Sequence, residues 1–231
     1  MRKHPPPDNV RRVRAIGKNL RGVVTSKTGR IVQFESFAER LLILCLDRDR
    51  TVRDYVSQPE TFHFQDSQGK SRRYTPDFMV WRDNGHIEIH EVTRSERRDK
   101  SSIQQREDAA QVICQQRAWT YIVHTEDTLP NATQTANLLA LFAYRPSVYA
   151  NPAITEQVRI FLLTHRIATW QALIEHLTTL SSFSIHEITQ TLLHLLWHDD
   201  VATDLSQSIW LDGAIVPQIK IWWVGVSTCQ I

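Results

Sequence analysis

The sequence predicts an α/β fold, a mixed sheet flanked by helices, followed by a small winged-helix domain. Three patterns carry this. Short alternating runs between Thr61 and Thr93 are broken by turn residues, a helical stretch from Asp99 to Arg117 leads into a further strand, and three amphipathic helices with a polar hairpin follow Pro152. With 231 residues, 42% of them apolar, the chain is long enough for two modest cores.

The elements follow in order. SFAERLLILCLDRD starts a helix at Ser36, with Phe37, Leu41, Leu44 and Cys45 at helical spacing. Thr61–Gln65 reads as a strand, Ser67 to Lys70 as a turn and Tyr74–Trp81 as the returning strand. Asp83-Asn84-Gly85 is a second turn. His86–Thr93 is a third strand, placing Ile87, Ile89, Glu91 and Thr93 on one face. Asp99–Arg117 is a helix, and because it links that strand to Trp119–His124, the two strands can run parallel. Leu138–Tyr144 closes the domain as a short helix. The stretch RPSVYANP lacks periodicity, so the boundary falls near Arg145–Pro152. Beyond it come helices over Ile154–Thr164, Thr169–Leu177 and Ile185–Trp197, then a hairpin-like Asp199–Leu211. The divisions are 1–30, a basic arm, 31–149, an α/β domain, and 150–231, a winged helix.

Charge separates these parts. Residues 1–30 hold nine Lys/Arg against the single acid Asp8, and residues 1–150 balance at +6 whereas 151–231 balance at −4. A basic arm on a basic domain suits a polyanion, with Arg11, Arg12, Arg14, Lys18 and Arg21 as the expected phosphate contacts on DNA. The acidic second domain suits protein contacts. No apolar run approaches the roughly 20 residues a bilayer span needs, and the start lacks the apolar core of a secretory signal. Three separated cysteines, Cys45, Cys114 and Cys229, read as reduced thiols of a cytoplasmic protein, two of them in the core.

The chemistry concentrates in YTPDFMVW and IEIHEVT. Asp77 opens one strand and Glu91 lies fourteen residues on, in the next. Carboxylates at the ends of adjacent strands converge on one divalent ion. Mg²⁺, with Mn²⁺ as its substitute, takes such a pair together with water and phosphate oxygens. Glu39, in the first turn of the opening helix, is a third candidate ligand. Each residue has a plainer role open to it. Ser36 and Glu39 also form a capping box, Asp77 is also a turn residue, and Glu91 also suits a salt bridge to Arg94 or Arg97. His86 and His90 lie roughly 13 Å apart on the strand face opposite Glu91. A zinc shared by His194 and His198 lacks an evident third ligand.

Several segments together resemble the TnsA endonucleases of heteromeric bacterial transposases. They are Glu35–Glu39, Asp47–Tyr55, Gln58-Pro59, Tyr74–Phe78, Glu91-Val92, Trp119–Val123, Thr125-Glu126, Asn137-Leu138 and Tyr144-Arg145. The resemblance covers roughly residues 30–146. It implies a restriction-endonuclease-like fold of the PD-(D/E)xK superfamily, with a winged-helix second domain. It also implies cutting at the 5′ ends of a transposon beside a TnsB-like transposase and a TnsC-like ATPase. By motif position, Glu39, Asp77 and Glu91 would be the acidic metal site. One departure stands out, since the lysine expected two residues after the second acid is Thr93. Either Lys100 on the next helix supplies the cation, or Thr93 positions water under metal activation, or the protein no longer cuts. Two rival readings follow, a stand-alone restriction or repair nuclease and a non-catalytic DNA-binding or assembly subunit.

Overall fold

The computed structural model describes residues 20–224. The chain divides into two compact units between Pro130 and Asn131.

The first unit begins with a hairpin, β1 (Gly22–Thr25) and β2 (Ile31–Phe34), ahead of helix α1 (Phe37–Arg48). Its central sheet contains β3 (Val52–Ser57), β6 (Phe78–Arg82), β7 (Ile87–Val92) and β8 (Thr120–His124) in the order β3-β6-β7-β8. The β3, β6 and β7 pairings are antiparallel, and β8 runs parallel to β7 after helix α2 (Ser101–Gln116). Both sheet faces are covered, so β6 is apolar along FMVW rather than alternating. Phe78 and Val80 join Leu42, Ile43 and Leu46 of α1 in one core. Met79 and Trp81 join Ile89 of β7 and Ala110 and Cys114 of α2 in the other. Tyr55 is wholly buried in the first core, where its hydroxyl donates to Asp47 Oδ1 at 2.7 Å.

The expected three-strand meander is corrected here. Thr61–Gln65 does not enter the central sheet. Its ordered part, β4 (Phe62–Gln65), pairs with β5 (Ser71–Tyr74) as a separate ribbon. The long run Tyr74–Trp81 is cut by Thr75-Pro76-Asp77, because proline has no N–H to continue a ladder. The first strand of the sheet is instead β3, whose alternation is hidden by a register shift between Val52 and Asp54. The reading of residues 1–30 as an arm also changes, since β1 lies within it. Lys27 Nζ donates to the Asp49 carbonyl at 2.6 Å and Arg30 meets Asp54 at 3.3 Å, so both serve the fold. Arg11, Arg12, Arg14, Lys18 and Cys229 lie outside the described residues. Of the other two thiols, Cys114 is buried and Cys45 partly so. Burial pushes both up to about 11.

The second unit comprises α3 (Ala132–Leu141), α4 (Pro152–His165), β9 (Ala168–Thr169), α5 (Trp170–Leu180), α6 (Ile185–Trp197), β10 (Val201–Thr203), β11 (Trp210–Leu211), β12 (Ala214–Ile215) and β13 (Lys220–Trp223). The three expected helices correspond to α4, α5 and α6. The hairpin expected over Asp199–Leu211 is different. β10 pairs with β13 in the three-stranded sheet β10-β13-β9, and β11 and β12 pair inside the intervening loop.

The boundary falls before α3, not near 145–152, and Asn137 supplies a reason. Its side-chain amide donates to the carbonyls of Leu205 at 2.9 Å and Gln207 at 2.7 Å, and its oxygen accepts from the Ile209 N–H. His194 Nδ1 and His198 Nε2 likewise hydrogen-bond the carbonyls of Tyr144 and Arg145. Asn137→Ala removes three hydrogen bonds to backbone groups, of which the one from the Ile209 N–H is buried, so it should cost about 1–3 kcal/mol in denaturant unfolding. A loss under about 0.5 kcal/mol would show that the loop is held by other means. Among the described residues, no helix is long and apolar enough to cross a membrane.

Candidate active site

The β6–β7 register builds the site. Phe78 pairs with His90 and Met79 with Ile89, so Asp77, one step further, faces Glu91. The Val92 N–H donates to Asp77 Oδ2 at 2.8 Å, and the Gln58 N–H to the Asp77 carbonyl at 2.7 Å. Glu91 is 4% exposed. The Tyr74 hydroxyl donates to its Oε2, and Arg106 Nη2 donates to its Oε1 at 2.6 Å. The Arg106 guanidinium also lies over the Tyr74 ring, 4.7 Å from its centre.

The electrostatics follow from this crowding. Burial, then the charges of Glu91 and Glu39, push the Asp77 carboxyl well above the usual carboxylate range. Burial also raises Glu91, opposed by Arg106 and by hydrogen bonds from Tyr74 and Asp77. Both carboxyls are therefore harder to ionise than usual, Glu91 less so because Arg106 pairs with it. Burial and the neighbouring Glu91 charge push the hydroxyls of Tyr74 and Tyr121 up as well. The pair opens onto a cavity of about 700 Å³, whose wall also includes Tyr74, Arg106, His63 and Arg73.

The other expected residues are less central. Glu39 closes the start of α1, accepting the Glu35 N–H at 2.8 Å and the Ser36 hydroxyl at 2.9 Å. Ser36 Oγ in turn accepts the Glu39 N–H at 3.1 Å. Capping is thus formed one residue earlier than a standard capping box. Glu39 adds charge felt by Asp77, but it does not line the cavity. Thr93 extends the β7–β8 ladder through its N–H to the His124 carbonyl at 2.9 Å. Lys100 is the exposed residue that caps α2, about 9 Å along the helix axis from Arg106. Arg94 pairs with Glu96 rather than Glu91. Arg21 precedes β1. His90 points to the other face, bonded to His124 at 2.8 Å and Glu88 at 2.9 Å. Burial drives the His124 ring down to about 4.

Arg106 and Tyr74 were not singled out from the sequence, yet Arg106 carried a signal. It lies four residues before Ala110 and eight before Cys114, the buried stripe of α2. An arginine in such a stripe needs a buried acid as partner. Among the described residues, no three His, Cys, Asp or Glu side chains group as a metal cluster. The oxygen donors that could hold a cation here are the carboxylates of Asp77 and Glu91. A pair made reluctant to ionise by mutual repulsion fits a hard dication in place of its proton.

No curated protein matches the chain. Residues 49–126, which run from β3 through β8 and contain Asp77, Glu91 and Arg106, match the family described as TnsA-like endonuclease N terminal. The match covers about a third of the chain and supports a nuclease-type function.

Proposed function

We propose that this protein is a Mg²⁺-dependent DNA endonuclease that cuts the 5′ ends of a transposon, with Mn²⁺ able to substitute. In this reading it works beside a TnsB-like transposase and a TnsC-like ATPase. The observation that carries the reading is the Asp77–Glu91 pair, raised in pKa, paired with Arg106 and open to a cavity inside the family match. A mixed sheet with α1 and α2 on opposite faces supports the restriction-endonuclease-like fold. In the second unit, the order from α4 to β13 is helix, strand, two helices, four strands, and the antiparallel sheet β10-β13-β9 that closes it supports the winged helix.

Asp77 and Glu91 would hold the metal, with Tyr74 orienting Glu91 through its hydroxyl. A divalent ion held there would supply positive charge to the scissile phosphate and help activate the attacking water. Arg106 supplies the positive charge that Thr93 lacks, offsetting charge that builds on the phosphate during attack. Glu39 contributes negative charge from the start of α1. Helix α6 contains no Lys or Arg, and the segment after it carries Asp199, Asp200 and Asp204. Both suit protein partners better than DNA.

The test is cleavage of end-labelled transposon DNA by the full chain with its partners. Cleavage should require Mg²⁺ or Mn²⁺ and stop in EDTA. Cutting that persists in EDTA would overturn the proposal. The non-catalytic reading is favoured by one observation, that Tyr74 and Arg106 engage both Glu91 oxygens. No cutting under any divalent condition would support it.

A further inference from the structure

The β4–β5 ribbon shows an asymmetry that the proposed catalytic chemistry leaves unused. Phe62 pairs with Tyr74, and His63 with Arg73. Side chains alternate across a ribbon, so Phe62, Phe64 and Tyr74 pack into the core shared with α2, and His63 and Arg73 take the outer face. Arg72, on the inner face, is engaged by Asp66 at 2.8 Å. No hydrogen bond or ion pair among the described residues holds the Arg73 or His63 side chain. Both are exposed, and both line the cavity that contains Asp77 and Glu91.

An unpaired guanidinium and an imidazole beside a carboxylate pair form two seats of opposite sign in one cavity. A phosphodiester strand presents anionic groups at regular spacing. One of its phosphates lying at the carboxylates, together with a cation, places a neighbouring phosphate within the same cavity. A guanidinium suits phosphate oxygens because its N–H groups form a planar fork.

We propose that the β4–β5 ribbon is a phosphate-binding element. Arg73, helped by His63, grips a backbone phosphate of the DNA strand next to the one at Asp77 and Glu91. The inference rests on the nuclease reading and deepens it, assigning strand positioning to a ribbon outside the central sheet.

The experiment measures binding of the full chain to a fluorescent 20-base-pair duplex in EDTA at pH 7.5 across a salt series. One lost phosphate contact lowers the slope of log affinity against log salt by about one. Arg73→Ala should show that fall, with weaker binding on any sequence and an unchanged melting temperature, because the side chain is exposed. Arg72→Ala, one residue away on the inner face, should leave the slope intact. An unchanged slope in both Arg73→Ala and the double variant Arg73→Ala/His63→Ala would overturn the proposal while leaving the nuclease reading standing. An equal fall in Arg72→Ala would mark an effect of net charge and overturn it too. Absence of DNA binding by the unaltered protein would overturn both.

Discussion

Asp77→Ala should lower end cleavage by roughly 10³-fold or more. If Asp77 holds the ion as proposed, losing it forfeits several kcal/mol of charge stabilisation, and each 1.36 kcal/mol is a factor of ten. The same residue is predicted to act in the opposite direction on stability. In the folded state the Asp77 carboxyl is pushed up by burial, Glu91 and Glu39, whereas in the unfolded chain it titrates near the ordinary value of about 3.9. Between those two values the folded protein holds more protons. Stability contributed by the protonated group is present below the ordinary value and lost as pH rises through the raised one. Asp77→Asn keeps an oxygen for the Val92 N–H and removes the repulsion. It should raise stability by about 0.5–2 kcal/mol at pH 7 and flatten the slope above pH 4. Cleavage retained near wild-type rate in Asp77→Ala, or a drop in stability in Asp77→Asn at neutral pH, would each count against the site as described.

Arg106→Ala should have two effects that can be measured separately. It leaves Glu91 buried beside Asp77 without its cation, which should cost about 3 kcal/mol in unfolding experiments without metal. On the proposed reading it also removes the positive charge beside the metal site, which should lower the cleavage rate by about 10²-fold at temperatures where the variant remains folded. Arg106→Lys should regain part of the activity, because charge matters at the phosphate even when the fork geometry is lost. Lys100→Ala should stay within about twofold of wild type, since Lys100 sits at the exposed start of α2. If Lys100→Ala lost activity and Arg106→Ala kept it, the cation would belong to Lys100, the residue first suggested by the sequence.

The contrast between Lys100 and Arg106 shows what the sequence could and could not reveal. Helix α2 was legible from Ile103, Ala110 and Ile113. The face it turns inward also carries Arg106, but a charged residue on an apolar stripe reads as noise until its partner is known. Asp77 and Glu91 were legible as a pair because a turn at Asp83–Gly85 sets the β6–β7 register. Strand β3 was hidden, since the shift at Arg53 breaks its alternation. The β4–β5 ribbon was taken for part of the sheet because Phe62, Phe64 and Tyr74 look like sheet-core residues, and they are buried against α2 instead. The unit boundary was misplaced because the composition changes near Pro146, whereas the decisive contacts of Asn137 lie some 70 residues away in the chain. Glu39 was open to a metal-ligand role or a capping role, and in the structure its carboxylate accepts the Glu35 N–H and the Ser36 hydroxyl at the start of α1.

The most direct test of the central claim is the binding of Mn²⁺ to the full chain, followed by titration calorimetry at pH 7.5 and needing neither partner proteins nor turnover. The account predicts one or two bound ions in the wild type. In Asp77→Ala affinity should fall at least about tenfold, by analogy with the 10–100-fold cost of losing even the groups that only support a metal's ligands. Equal Mn²⁺ binding by wild type and Asp77→Ala, or none by the wild type at millimolar concentration, would contradict it.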